Sequence, residues 1–411
     1  MSVNVLKKKY QVVVIGGGMS GVCAAIAAAR HGAKTVLIQN RSMFGGNASS
    51  EIRMHILGAG CHMSKSNLNE TGILMEILLE NKYRNPRQNF PVWDTVLWEK
   101  VKFQENLDFF LNTNMDGVET EGGHIRSILC HQNSTETEIS VEGELFVDAT
   151  GHGTLGKMAG AGYMTGTEGR EAFGEPNAPE LPNDSTNGNT LMFKAVKREK
   201  AVPFIKPFWA YDFSEEDLRH RLHASCKAAF SDGGALTGFE EGDSENLPEI
   251  ANMDSGYWWI ELGGQYNDII AQGEEIRDEL LRCVYGVWDH IKNKPGHGAD
   301  CYELDWVGIV PGYRESRRLI GEYILTEQDV RANRLFPDAV AYGGWPMDEH
   351  VREGIFAFDS YPSRIFNFPG VYTIPYRCYV SRDVDNLFMA GRDISVSKMA
   401  FGSTRVMATC A

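Results

Sequence analysis

Gly16, Gly18 and Gly21 form a Gly-x-Gly-x-x-Gly run between an apolar stretch at 10–15 and an alanine-rich one at 24–30. That spacing suits the capture of a dinucleotide pyrophosphate. The first glycine permits a tight turn, the second lets a phosphate reach the backbone, and the third lets a helix pack against a strand. Amides at the helix start and its positive dipole end then stabilise the anion. Gln39 lies 23 residues after Gly16, near the place where an acidic side chain takes an adenosine ribose. Its amide, with Asn40 beside it, offers a weaker hydrogen bond, and Arg41 offers a cation to phosphate.

Two further stretches extend this chemistry. Gly45, Gly46 and Asn47, followed by Ser49 and Ser50, make a second loop of small residues and backbone donors. Residues 145–153 (LFVDATGHG) read as a strand running into Ala149, Thr150 and Gly151; residues 386–395 (NLFMAGRDIS) read as one ending on Gly391, before Arg392 and Asp393. Strand ends carrying glycine gather at one edge of a parallel sheet, where such sheets bind ligands. An extended FAD needs a second cradle of this kind, whereas an NAD domain does without one.

For proton transfer, His350 stands two residues after Asp348 and is a candidate oriented base, an ordinary loop histidine being the plainer account. Arg53 and His55 follow the second glycine loop and are candidates to approach a flavin edge. Arg314, Arg317 and Arg318 form a basic cluster, although alternation puts the last two on opposite faces. One of them is expected to grip a carboxylate or phosphate bidentately, with an ion pair to Glu315 or Glu322 as the alternative. Trp258, Trp259, Trp288, Trp306 and Trp345 could stack on sugar rings. Core packing is the simpler account for most, and Trp345, between Gly344 and Pro346, is the one expected at an open site.

The elements that must position these groups are legible in outline. Residues 10–15 and 34–39 read as strands flanking a helix that His31-Gly32 stops, a complete βαβ unit. Residues 115–147 alternate, with turn signals at 121–123 and 133–134, as a three-stranded antiparallel meander does. Residues 274–292 carry a helical apolar face at Ile276, Leu280, Val284, Val287 and Ile291. Thr326 with Asp329 opens a further helix that Pro337 closes. The expected fold is α/β, a Rossmann-like FAD-binding domain (parallel sheet plus meander) with an inserted α+β cap. The first would span 1–165 and 370–411, the second 166–369. Residues 403–411 read as the first turns of a helix without a stop signal, so the chain is expected to end inside an element.

Composition narrows the function classes. Forty Lys and Arg against 55 Asp and Glu give a net charge of −15, which opposes binding to nucleic acid or anionic lipid. Lys7, Lys8 and Lys9 before an apolar run suggest a signal peptide, but an h-region has no use for three phased glycines. No other apolar run approaches a membrane span, and a cytoplasmic protein is expected. Eight scattered cysteines without CxxC, and no paired histidines, argue against structural zinc, an iron–sulfur cluster or a redox disulfide. No metal is expected.

Together these motifs resemble the FAD-dependent oxidoreductases of the glutathione-reductase-like superfamily. The chain is more narrowly similar to a bacterial flavoprotein family with a fumarate-reductase-like FAD domain, some of whose members carry a xanthan lyase name. The blocks that carry this are GGNASSEIRMHILGA (45–59), PVWDTVLWEKV (91–101), WVGIVPGYRESRRLIGEYILTEQDV (306–330), VAYGGWPMDEH (340–350), GVYTIPYRC (370–378) and FGSTRVMATCA (401–411). The resemblance implies noncovalent FAD. Gly16, Gly18 and Gly21 would then hold the pyrophosphate, Gln39 and Asn40 the ribose, and Gly45, Gly46 and Asn47 the ribityl side. Val118 would meet the adenine through its backbone, beside Ala149, Thr150 and Gly151. Asp393 would bind a ribityl hydroxyl, and Gly402 and Ser403 would open a helix whose positive end faces the flavin. Hydride exchange between flavin N5 and a small polar substrate, a carbohydrate or hydroxy acid, is the leading expectation. Reduction of an activated double bond and redox-free cleavage of a uronate polymer are the alternatives. The electron acceptor and oligomeric state stay open.

Overall fold

The structure, a computed structural model, describes residues 5–60, 68–221, 223, 227–228, 239–240, 257 and 259–411. Cys61, Cys226, Trp258 and the acidic stretch 241–249 lie outside the described residues.

The glycine run joins β1 (Val5–Ile15) to helix α1 (Met19–Arg30), which returns to β2 (Thr35–Ile38). Alanine-rich sequence with no β-branched run favours the helix, and Gly32, in the left-handed region at φ 92°, stops it. Helices α2 (Gly72–Arg84) and α3 (Phe90–Lys102) then lead to β3 (Leu107–Phe110). Next come β4 (Thr113–Glu121), β5 (His124–Gln132) and β6 (Thr137–Asp148), the meander that the alternation predicts.

One sheet takes all six in the order β3-β2-β1-β6-β5-β4, and the late strand Leu387–Met389 pairs with the end of β6. β6 therefore serves two ladders. One edge runs parallel to β1 along its whole length; the other is antiparallel to β5 over its first half and parallel to Leu387–Met389 at its end. This explains why β1 starts at Val5, before its apolar run: residues Val5 to Tyr10 pair with the first half of β6. Alternation sends Val13 and Ile15 to one face with Val36, Ile38 and Phe146. Val14 and Leu37 point to the other, against α1 and α3.

A separate core gathers around the helix Gly273–Asn293, which buries Ile276, Leu280, Cys283, Val284, Val287, Trp288 and Ile291. The strand pair Phe193–Lys197 and Tyr302–Val307 packs there too. Another cluster joins Leu319, Leu325, Val330 and Met347 to Tyr372, Ile374, Met389 and Phe401. The helix Glu327–Arg331 has the expected capping box at Thr326 and Asp329. It ends earlier than expected, because Asn333 turns left-handed (φ 48°) before Pro337 is reached. Cys23, Cys130, Cys283, Cys301, Cys378 and Cys410 carry free thiols. No helix among the described residues is long and apolar enough to cross a membrane.

Candidate functional site

A cleft of about 560 Å³ opens at the C-terminal edge of the parallel strands, within the size class of small-molecule sites. Gly16, Gly18, Gln39, Asn40, Arg41, Gly45, Gly46, Asn47, Ala149, Thr150, Gly151 and Gly391 all line it. Glu274, Arg277, Pro311, Tyr313, Arg392 and Arg405 close the other sides.

The wall is built by backbone contacts too tight for side chains. Gly16 sits at φ 104°, and a Cβ there would meet the Ala149 carbonyl oxygen at 2.1 Å. A Cβ at Gly21 would meet the Gly16 oxygen at 1.8 Å, so Gly21 packs beneath the wall rather than facing the cleft. Gly18 differs: its φ is −65° and nothing lies within 4 Å of a Cβ there. Its glycine keeps the cleft open rather than relieving strain. The second loop docks on the first, with Gly45 N–H donating to the Gly17 carbonyl at 2.8 Å. Asn47 ties this loop to the far wall by donating to the Tyr313 carbonyl at 2.9 Å.

Several expected ligand contacts turn out to be internal. Gln39 accepts from Gly17 N–H at 2.9 Å and donates to the Met43 carbonyl at 3.1 Å, so its amide first of all braces the glycine loop. Arg41 is held bidentately by Glu51, at 2.9 and 3.2 Å. Asn40 lies exposed on the rim. Asp148 organises the Ala149–Thr150 turn, accepting from Thr150 N–H, Thr150 Oγ1 and Gly156 N–H. Asp393 is fully buried, off the cleft wall; burial and the neighbouring Asp148 push its carboxyl well above the ordinary range.

Two expected positions are corrected. Val118 packs against the core, and Thr113, Asn114 and Met115 line the cleft instead. β4 leaves the sheet edge where Thr113 N–H bonds the Gln39 carbonyl, and five residues of strand carry Val118 roughly 16 Å farther on. Gly402 and Ser403 do not open a helix. That helix spans Lys398–Thr404, and its cap is Ser397, which accepts from Ala400 N–H at 3.2 Å. Ser403 is buried against the Trp345 carbonyl and Tyr372, and a Cβ on Gly402 would meet Asp348 N at 2.9 Å.

The proposed catalytic groups separate into two sets. Arg53 does not line the cleft: its guanidinium stacks on Trp306 at 4.2 Å and Phe90 at 5.3 Å, and burial lowers its pKa. His55, half-buried, also lies off the wall. Arg314 and His350 are brought together, behind the wall, through Glu261. Arg314 donates to Glu261 at 2.8 Å, and Glu261 meets His350 Nδ1 at 2.7 Å. His350 Nε2 lies 3.3 Å from Asp348, which in turn holds Arg405 at 2.8 Å. Burial would raise both carboxyls, but Arg314 and His350 hold Glu261 below its ordinary value, and His350 and Arg405 hold Asp348 well below it. Both ring nitrogens of His350 face carboxylates, so it is not free to act as a base on a ligand. Arg405 brings the chain of charges to the cleft.

The other arginines have separate partners. Arg318 is clamped by Glu168 at 2.8 and 3.1 Å, and Arg317 donates to the His152 carbonyl; Glu315 pairs with Lys398. Trp345 is buried rather than open, and Trp288 is core. Among the cleft residues with no role assigned from the sequence, Arg392 and His152 have the most telling surroundings. Arg392, on the wall and donating to the Tyr313 carbonyl, makes no ion pair among the described residues. A half-buried guanidinium with no carboxylate partner, beside glycine amides, fits a phosphate. His152 bonds Ser316 at 2.9 Å; burial, Arg392 and Arg317 push its pKa down to about 3, so it is a neutral ring. Their position at glycine-ended strand tips was the available signal.

A family model described as FAD dependent oxidoreductase matches residues 11–411. Among solved structures, the L-proline dehydrogenase of P. horikoshii matches at 18% identity over 41% of this chain and 26% of its own, with a TM-score of 0.23. A myxobacterial chondrochloren halogenase matches at 15% over 48% and 46%, TM-score 0.31. A geranylgeranyl bacteriochlorophyll reductase-like protein of Thermoplasma acidophilum matches at 16% over 47% and 48%, TM-score 0.29. The chain spans about half or less of the length of these three.

Proposed function

The chain belongs to the FAD dependent oxidoreductase family, and from that premise we propose that it is an FAD-dependent oxidoreductase acting on a small polar substrate, a hydroxy acid or sugar. The observation that carries the cofactor reading is the bonded pair of glycine loops, with Gly18 open to the cleft and Arg392 unpaired beside it. Gly16, Gly18 and the N-terminal amides of α1 would hold the pyrophosphate, and Gly45, Gly46 and Asn47 the ribityl side. Bound FAD supplies the hydride acceptor or donor.

The rest of the chemistry falls to the chain. In this reading residues 166–369 cover the cofactor, and Glu274, Arg277 and Tyr313 screen the cleft from water. Arg405, fixed by Asp348, offers its guanidinium to a substrate carboxylate or hydroxyl. Arg314, Glu261 and His350 are positioning residues that keep Asp348 ionised. A carboxylate grip of this kind serves equally the reduction of a double bond beside a carboxylate. Uronate cleavage without redox chemistry gives the FAD of the family no role.

An anaerobic screen separates these readings. Hydroxy acids or sugars should bleach the yellow protein, while an unsaturated carboxylate should restore colour to protein reduced beforehand. Flavin that responds to neither class removes the substrate assignment.

A further inference from the structure

Glu215, His223, His290 and His297 each bring one ligand atom to within 4.8 Å of the others. They come from the helix Glu215–Leu218, the turn after it, the last turn of the helix Gly273–Asn293 and the loop beyond. His223 directs Nδ1 at the Leu218 carbonyl (2.8 Å) and Nε2 at Glu215 (3.1 Å). His290 directs Nδ1 at the Phe213 carbonyl (3.0 Å) and Nε2 at Glu215 (3.0 Å). For His297, Nδ1 is 3.4 Å from the Lys294 carbonyl and Nε2 is 3.5 Å from Glu215.

A carbonyl oxygen only accepts, so each Nδ1 carries the hydrogen. Neutral rings then turn three Nε2 lone pairs toward one carboxylate, lone pair against lone pair. Protonated rings instead crowd three cations, with centroids 4.8 to 5.3 Å apart, around a single negative charge. Neither arrangement is favourable, and a cation at the common point relieves both.

We propose that Glu215, His223, His290 and His297 form a divalent metal site whose donors suit zinc. Three imidazole nitrogens and one carboxylate oxygen make a tetrahedral set, and Nδ1–H bonds to carbonyls are the usual means of aiming such ligands. Magnesium and calcium call for an oxygen shell, and copper(I) calls for sulfur. With four protein ligands the site is closed, hence structural rather than catalytic. The three imidazoles are almost fully buried while Glu215 is 67% exposed, so the ion enters from the Glu215 side. The ion would clasp the 213–223 segment to the far end of a helix whose first turn, at Glu274 and Arg277, lines the cofactor cleft. Sixteen residues of helix separate Glu274 from His290, about 24 Å. This site does not depend on the FAD assignment.

The test uses the full chain with its flavin, stripped by chelator, reloaded with zinc and desalted. One zinc per chain should remain, and cobalt(II) in its place should give the intense visible bands of a tetrahedral ion. His290→Ala and His297→Ala should each retain less than about a tenth of that zinc, with the flavin-to-protein ratio unchanged. His220→Ala, whose ring stacks on Tyr361 instead, should keep its zinc. Unmutated protein that retains no zinc, an octahedral cobalt spectrum, or a His290→Ala/His297→Ala protein that still binds zinc fully would each overturn the proposal. The cobalt spectrum decides the matter even if the variants do not fold.

Discussion

The glycine-walled cleft and the chain of charges behind it solve opposite problems. The glycine side of the cleft is mostly backbone, with loops that touch because their side chains are absent, as at Gly16, Gly21 and Gly46. The Arg314–Glu261–His350–Asp348–Arg405 chain is all side chain, buried, and drawn from distant stretches of sequence. An anion can be held by amides whose identity hardly matters, but a cation fixed at one spot in the interior needs matched partners. A wall of the first kind tolerates substitution only where no atom stands in the way. A chain of the second kind tolerates almost none, because removing one member leaves a charge uncompensated.

The largest expected effect comes from paired substitutions in the wall. Gly21→Val drives its Cβ into the Gly16 oxygen and should cost more than about 5 kcal/mol, seen as loss of cooperative unfolding. At Gly18 a Cβ meets nothing within 4 Å, so Gly18→Val should keep its melting temperature, yet lose FAD affinity by at least about 100-fold. Normal flavin content in Gly18→Val would remove the wall from cofactor binding. Next comes His350→Ala, which should destabilise by about 3 kcal/mol in denaturant titrations. Substrate KM should rise as Asp348, which holds Arg405, loses its own anchor. A fall in kcat with stability unchanged would instead restore His350 as a base.

An effect graded by pH belongs to Asp393. Its folded pKa is raised, so the native state binds more protons than the unfolded chain between the two values. Stability therefore falls as pH rises from about 4 toward that folded pKa, by about 1.4 kcal/mol for each pH step of one crossed in that window. Asp393→Asn removes this loss. Its advantage over the unmutated protein should be absent near pH 3 and grow as pH rises above about 4 in chemical denaturation. A difference that ignores pH would mean that Asp393 is ionised when folded.

The same contrast decides what could be read from the sequence. Gly16, Gly18, Gly45 and Gly151 were legible because a turn and its neighbours lie within a few residues. Val118 was misplaced by a few positions because the exit point of β4 depends on Asn112 and Thr113 pairing with Arg41 and Gln39 across the sheet. The opening assigned to Gly402 missed Ser397, a plain capping residue ahead of Lys398. Glu261 was invisible as the partner of both Arg314 and His350, since nothing local marks it. The histidines at 223, 290 and 297 match no short-range ligand spacing and converge only once the long helix is packed.

The double duty of β6 bears on how this protein is made. On one side of β1 its partner β2 emerges within some twenty residues, but the other side waits for positions 138–148. At ribosomal speeds that interval is on the order of 10 s. Throughout it a strand rich in valine and isoleucine has one bare edge, the kind of surface on which nascent chains stick to one another. Yield in a cell should then depend on chaperone supply and on slow translation after β2 more than on the final stability of the fold.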